Sequence, residues 1–142
     1  MLAEDTECAV VVSGEPGVGK SALIDQMCAR ATGGGWQVVR VLGVQAEEPF
    51  ALGGLNQLVV ALKEFQVDVD AKDRAVLAPV LGGDPDSEVA VLPLTSGLLN
   101  LLAVAGQTRP LLLIIDDAHW LDGISAQVLG AVGRRLNHPG VR

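Results

Sequence analysis

Apolar positions along the chain change period several times, and each change predicts an element. Ala9-Val10-Val11-Val12 is a short unbroken apolar run, the pattern of a strand covered on both faces. It runs into Ser13-Gly14-Glu15-Pro16-Gly17-Val18-Gly19, where three glycines and a proline force a loop. From Lys20 to Ala31 the apolar residues fall at 23, 24, 27, 28 and 31, one face of a helix that Gly33-Gly34-Gly35 should stop. Trp36 to Leu42 is β-branched-rich and alternates, as a second strand does.

Leu55, Leu58, Val59, Leu62 and Phe65 then recur at helical spacing, predicting a helix over about 53–65. Asp73 is a candidate cap for a short helix ending near Leu81, with Gly82-Gly83-Asp84-Pro85-Asp86 as the loop beyond. Leu94 to Ala105 reads as a helix stopped by Gly106. Arg109-Pro110 introduces the strand Leu111-Leu112-Leu113-Ile114-Ile115-Asp116-Asp117, which ends in two carboxylates. Ile124 to Leu136 forms a last helix capped by Asp122 or Ser125. Strand, helix, strand, helices, strand, helix is the order of an α/β fold with a parallel sheet flanked by helices.

Composition narrows the class. With 142 residues, 49% hydrophobic and 19% charged, the chain suits one folded domain, here taken as 1–142. Aromatics are only 3%, so the core must be aliphatic. The net charge of −7 argues against a segment that grips nucleic acid through its phosphates. Mean hydropathy is high at +0.40, yet no apolar run reaches the roughly 18 residues a membrane span needs. An acidic start, Met1-Leu2-Ala3-Glu4-Asp5, is unlike a secretory signal. Cys8 and Cys28 are too few for a disulfide framework or a zinc site and read as buried thiols in a reducing compartment. The expectation is a cytoplasmic domain.

Two motifs carry chemistry. Gly14-Glu15-Pro16-Gly17-Val18-Gly19-Lys20-Ser21 satisfies G-x-x-x-x-G-K-[ST]. Glycines allow torsions a side chain would forbid, so successive N–H groups can point inward at a phosphate. The helix opening at Lys20 adds its positive dipole end. Lys20 would reach the β and γ phosphates, and the Ser21 hydroxyl would ligate magnesium. Asp116 and Asp117 end an apolar strand, and in a parallel sheet ligands lie beyond the carboxyl ends of the strands. Asp116 is then placed to hold the magnesium, and Asp117 to orient or deprotonate the attacking water. No N-K-x-D guanine-reading sequence occurs, which disfavours a GTPase. His119 is expected to pack or to make a supporting hydrogen bond rather than to act in catalysis, Trp120 to pack or lie over the loop, and Arg134 and Arg135 to suit a helix C-terminus. Glu47 and Glu48 read as solvated loop charges.

The glycine loop together with Leu111 to Asp122 and Ser125 resembles the Walker A and extended Walker B regions of signal-transducing AAA-type P-loop ATPases. More narrowly, the Asp116-Asp117-Ala118-His119-Trp120-Leu121-Asp122 string is similar to the ATPase domain of large ATP-binding LuxR-type transcriptional regulators, grouped with origin-recognition-like AAA domains. Glu48-Pro49-Phe50-Ala51-Leu52-Gly53, Arg109-Pro110 and Arg134-Arg135-Leu136 agree. The resemblance implies ATP as nucleotide, magnesium as ion, and a switch coupling ATP state to a transcription factor. Its implied partner is the rest of a larger regulator or a homo-oligomer.

Two departures qualify the resemblance. Many AAA enzymes carry Glu where Asp117 stands, and the shorter acid suits slow or conditional hydrolysis. The sequence stops at Val141-Arg142, where the family continues into a sensor-1 strand that lies between the two motif strands. The expectation is therefore a fold incomplete at its C-terminal end, with little turnover and marginal stability. The rival expectation is a regulatory or interaction module that binds nucleotide weakly or not at all.

Overall fold

The fold was obtained as a computed structural model and is described for residues 19–44, 52–82 and 90–136. The expected strand at 9–12, Gly14 to Val18 of the glycine loop, Cys8, and Glu47-Glu48 lie outside the described residues.

Helix α1 (Lys20–Gly33) opens on Gly19, whose φ of +87° is left-handed and suits glycine. It closes where Gly34 and Trp36 donate back to Ala31, with Gly35 also left-handed. Strand β1 (Gln37–Leu42) follows. Helix α2 (Gly53–Ala61) is shorter than its periodicity predicts, and Lys63–Asp68 continues as a 3-10 segment. Leu62 and Phe65 are three apart, a spacing that both helix types bring to one side, so periodicity could not locate the change.

Helix α3 (Ala71–Gly82) begins before Asp73. Asp73 is thus an acid in the first turn rather than a cap, and it accepts a bond from Asn100 Nδ2 at 2.8 Å. Helix α4 (Val91–Thr108) runs through Gly106, which is buried. It ends where Arg109 turns extended ahead of Pro110, a residue type that disfavours helical torsions in its predecessor. Strand β2 (Leu111–Asp116), a 3-10 turn (Ala118–Trp120) and helix α5 (Gly123–Arg135) complete the order. Arg134 and Arg135 do fall in the last turn of α5.

Among the described residues β1 and β2 form a two-stranded parallel sheet, in register from Gln37–Leu111 to Leu42–Asp116. Parallel strands need cover on both faces, and they have it. On one face Val39, Val41 and Leu111 join Leu55, Leu58, Leu98, Leu102 and Val128 in an aliphatic core with α2, α3, α4 and α5. The other face carries a smaller core, where Leu112 and Ile114 meet Ile24 and Ala31 of α1, with Cys28, Trp36 and Val38 half-buried beside them. At the C-terminal end of β1, Gln57 of α2 satisfies both polar groups of Leu42, accepting from its N–H at 2.9 Å and donating to its carbonyl at 2.8 Å. Among the described residues no helix is long and apolar enough to cross a membrane.

Candidate functional site

The even-numbered residues of both strands face α1, and at the C-terminal end that face turns from apolar to charged. Register places Leu42 beside Asp116 and Arg40 two positions back, a diagonal neighbour within reach of a long side chain. Arg40 donates to Asp116 Oδ2 at 2.6 Å, and its other nitrogen lies 3.4 Å from Asp25 Oδ1 on α1. Lys20, in the first turn of α1, donates to Asp117 Oδ1 at 2.8 Å and stands 3.6 Å from Asp116 Oδ1. The result is a chain of alternating charge: Asp117, Lys20, Asp116, Arg40, Asp25.

Asp116 is only 5% exposed, and such a carboxylate stays ionised only if it is paired. The Arg40 hydrogen bond holds its pKa below the ordinary range against the opposing effect of burial, with the charges of Arg40 and Lys20 helping. Lys20 is held above its ordinary value, first by the bond to Asp117 and then by the charges of both aspartates. Lys20, Arg40 and Asp116 are therefore charged at neutral pH.

Lys20, Asp116 and Asp117 are thus brought together from two motifs about a hundred residues apart in sequence. Ser21 is exposed in the first turn of α1. Arg40 and Asp25 belong to no local motif. An arginine inside an otherwise uncharged strand was the available signal, since such a charge needs a counter-ion.

Beyond Asp116 the backbone turns sharply. Gly43 donates to the Asp116 carbonyl at 2.9 Å, and a β-carbon at Gly43 would collide with the carbonyl oxygen of Asp117. Asp117 takes a left-handed conformation (φ +50°, ψ +48°) that opens the 3-10 turn. His119 is exposed and its ring lies 4.7 Å from that of half-buried Trp120, tilted by 49°.

Asp122 then closes the corner. It accepts from Ser125 N at 3.0 Å, capping α5, and from the amides of Leu52 and Gly54 at 3.0 and 3.2 Å. Ser125 Oγ accepts from Leu55 N at 3.0 Å. One carboxylate and one hydroxyl thus satisfy free amides at the starts of two helices. Burial pushes the Asp122 pKa up, but the Ser125 hydroxyl and the three amides together bring it below the ordinary value.

A family model described as AAA ATPase domain matches residues 2–141. The chain belongs to the AAA ATPase domain family. Membership makes it a nucleotide-binding ATPase module, and the cluster at the end of β2 is where the glycine-loop lysine of this AAA domain meets its strand-end acids. Comparison with curated proteins and with solved structures gives no match to either.

Proposed function

We propose that this AAA domain binds ATP with magnesium at the Lys20–Asp116–Asp117 cluster and acts as the nucleotide switch of a LuxR-type transcriptional regulator. The observation that carries the binding reading is the placement of Lys20 Nζ, 2.8 Å from one strand-end aspartate and 3.6 Å from the other. A lysine so held, at the start of a helix following a glycine loop, is poised to exchange a carboxylate for a phosphate.

The residues present fit the implied ion. Ser21 supplies a hydroxyl and Asp116 an ionised carboxylate, the hard oxygen donors magnesium takes. Bound there, the ion would supply charge neutralisation on the phosphates. In this reading the loop Gly14, Glu15, Pro16, Gly17, Val18 and Gly19 wraps the phosphates, every residue but Pro16 having an N–H to offer, while Lys20 contacts them directly. Asp117, released from Lys20, becomes free to orient a water. Because that release costs an ion pair, the rival reading of weak, non-hydrolytic binding also finds support in the same contacts.

Titrating a fluorescent ATP analogue with and without magnesium tests the site. Lys20→Ala should weaken binding about tenfold or more, since charge-assisted contacts to phosphate are strong. Equal affinity of the variant and the parent would overturn the assignment.

A further inference from the structure

We propose that Arg40 is a positioning residue, fixing the Asp116 carboxylate for the divalent cation and leaving Lys20 for the phosphates. The inference rests on the nucleotide-binding reading above and deepens it. Asp116 presents its two oxygens to two different cations: Oδ2 to Arg40 at 2.6 Å, and Oδ1 toward Lys20 at 3.6 Å. Lys20 must leave when phosphates arrive, whereas Arg40 lies on β1 and has no reason to move. Its guanidinium is tethered on the far side by Asp25 at 3.4 Å, so the planar fork is held between two carboxylates on different elements.

Removing Arg40 has two consequences, and both oppose ligand binding. A carboxylate this buried would lose its closest partner and the bond that sets its rotamer. Lys20, the nearest remaining cation, would then be drawn from 3.6 Å into direct contact and held back from the phosphates. Partners that orient a metal ligand commonly change metal affinity by about ten- to a hundredfold when removed.

The experiment measures how far magnesium tightens the ATP analogue, as the ratio of dissociation constants without and with the ion. Parent, Arg40→Met, Arg40→Lys and Asp116→Asn proteins are compared, each alone and with Arg40→Met added to Asp116→Asn. Arg40→Met keeps an unbranched apolar stem and removes the guanidinium with its charge. Its ratio should fall about tenfold. Arg40→Lys, which keeps the charge but is shorter and lacks the planar two-nitrogen fork, should recover part of the loss. In the Asp116→Asn background Arg40→Met should add nothing. A purely structural arginine would instead lower the urea midpoint and leave the ratio unchanged. An unchanged ratio in both Arg40 variants, with the parent responding to magnesium, overturns the role of Arg40 and leaves the nucleotide site standing. A parent that binds no nucleotide overturns both. If Arg40→Met fails to fold, Arg40→Lys decides alone: a ratio equal to that of the parent overturns the proposal, and an intermediate one supports it.

Discussion

Asp116 and Asp122 are six residues apart, both about 95% buried, and both held below the ordinary carboxylate pKa, yet they are held in opposite ways. The partners of Asp116 are the ends of long side chains, Lys20 and Arg40. Those of Asp122 are amides at the starts of α2 and α5, and one hydroxyl. In the proposed function Lys20 swings away and is replaced by a ligand while Arg40 stays, an exchange open to the end of a side chain. Amides at a helix start cannot leave without unwinding it. The first carboxylate thus suits the proposed site and the second forms a joint, and the left-handed turn at Asp117 separates them.

Breaking the joint should have the largest effect. Asp122→Ala leaves the amides of Leu52, Gly54 and Ser125 without their acceptor in a buried corner, costing about 3–5 kcal/mol. Urea denaturation at pH 7 measures it. The sign with pH follows from the lowered pKa of Asp122. Its contribution is fully present above the unfolded value of about 3.9 and is lost as pH falls through the lower folded value. The gap between parent and variant should therefore narrow when the titration is repeated at progressively more acid pH below about 4. A gap that is constant with pH would mean the carboxylate charge contributes nothing.

Gly43→Ala acts where joint and site meet. The constraint is space rather than torsion, because the new methyl would collide with the Asp117 carbonyl and crowd Leu121 N at 3.2 Å. Backbone atoms give way poorly, so the cost should be about 1–3 kcal/mol. The displaced Asp117 should also loosen its bond to Lys20. A urea midpoint equal to the parent's would show that the 117–121 turn moves freely.

The joint was legible in the sequence and much of the site was not. The sequence offered Asp122 or Ser125 as the cap of α5, both local candidates, and the structure selects Asp122. That the same carboxylate also serves Leu52 and Gly54, about 70 residues away, is long-range and had no local trace. Lys20 and Asp116 were legible as candidates because each sits in a motif whose geometry is local: a glycine before a helix, an acid ending an apolar strand. Arg40 was missed because its partner is 76 residues distant. Helix ends failed for similar reasons. Gly106 is tolerated inside α4 at a buried position, and the pre-proline torsions at Arg109 stop the helix instead. At the end of α2, Leu62 is buried and Phe65 half-buried although the helix type changes between them.

The smallest effect is expected at Asp117, and it sharpens the contrast because two terms nearly cancel. Asp117 is a non-glycine residue at φ +50°, a conformation that costs an L-residue roughly 1 kcal/mol. It is also 37% exposed and paired with Lys20, and pairs with such access to water contribute little to stability. Asp117→Gly removes the strain and the pair together, so the net change should stay under about 1 kcal/mol. Asp117→Ala removes the same pair but keeps the strain. The glycine variant should therefore unfold at higher urea than the alanine variant, by about 1 kcal/mol less the extra freedom glycine gives the unfolded chain. An alanine variant as stable as glycine would mean that the left-handed turn relaxes once Lys20 lets go, and that the strain is imposed by the ion pair. A glycine advantage would mean that the joint imposes it, through Gly43 on one side and Asp122 on the other. In the proposed function, the turn would then keep its shape when Lys20 exchanges Asp117 for a phosphate, and the released carboxylate would stay beside the proposed site.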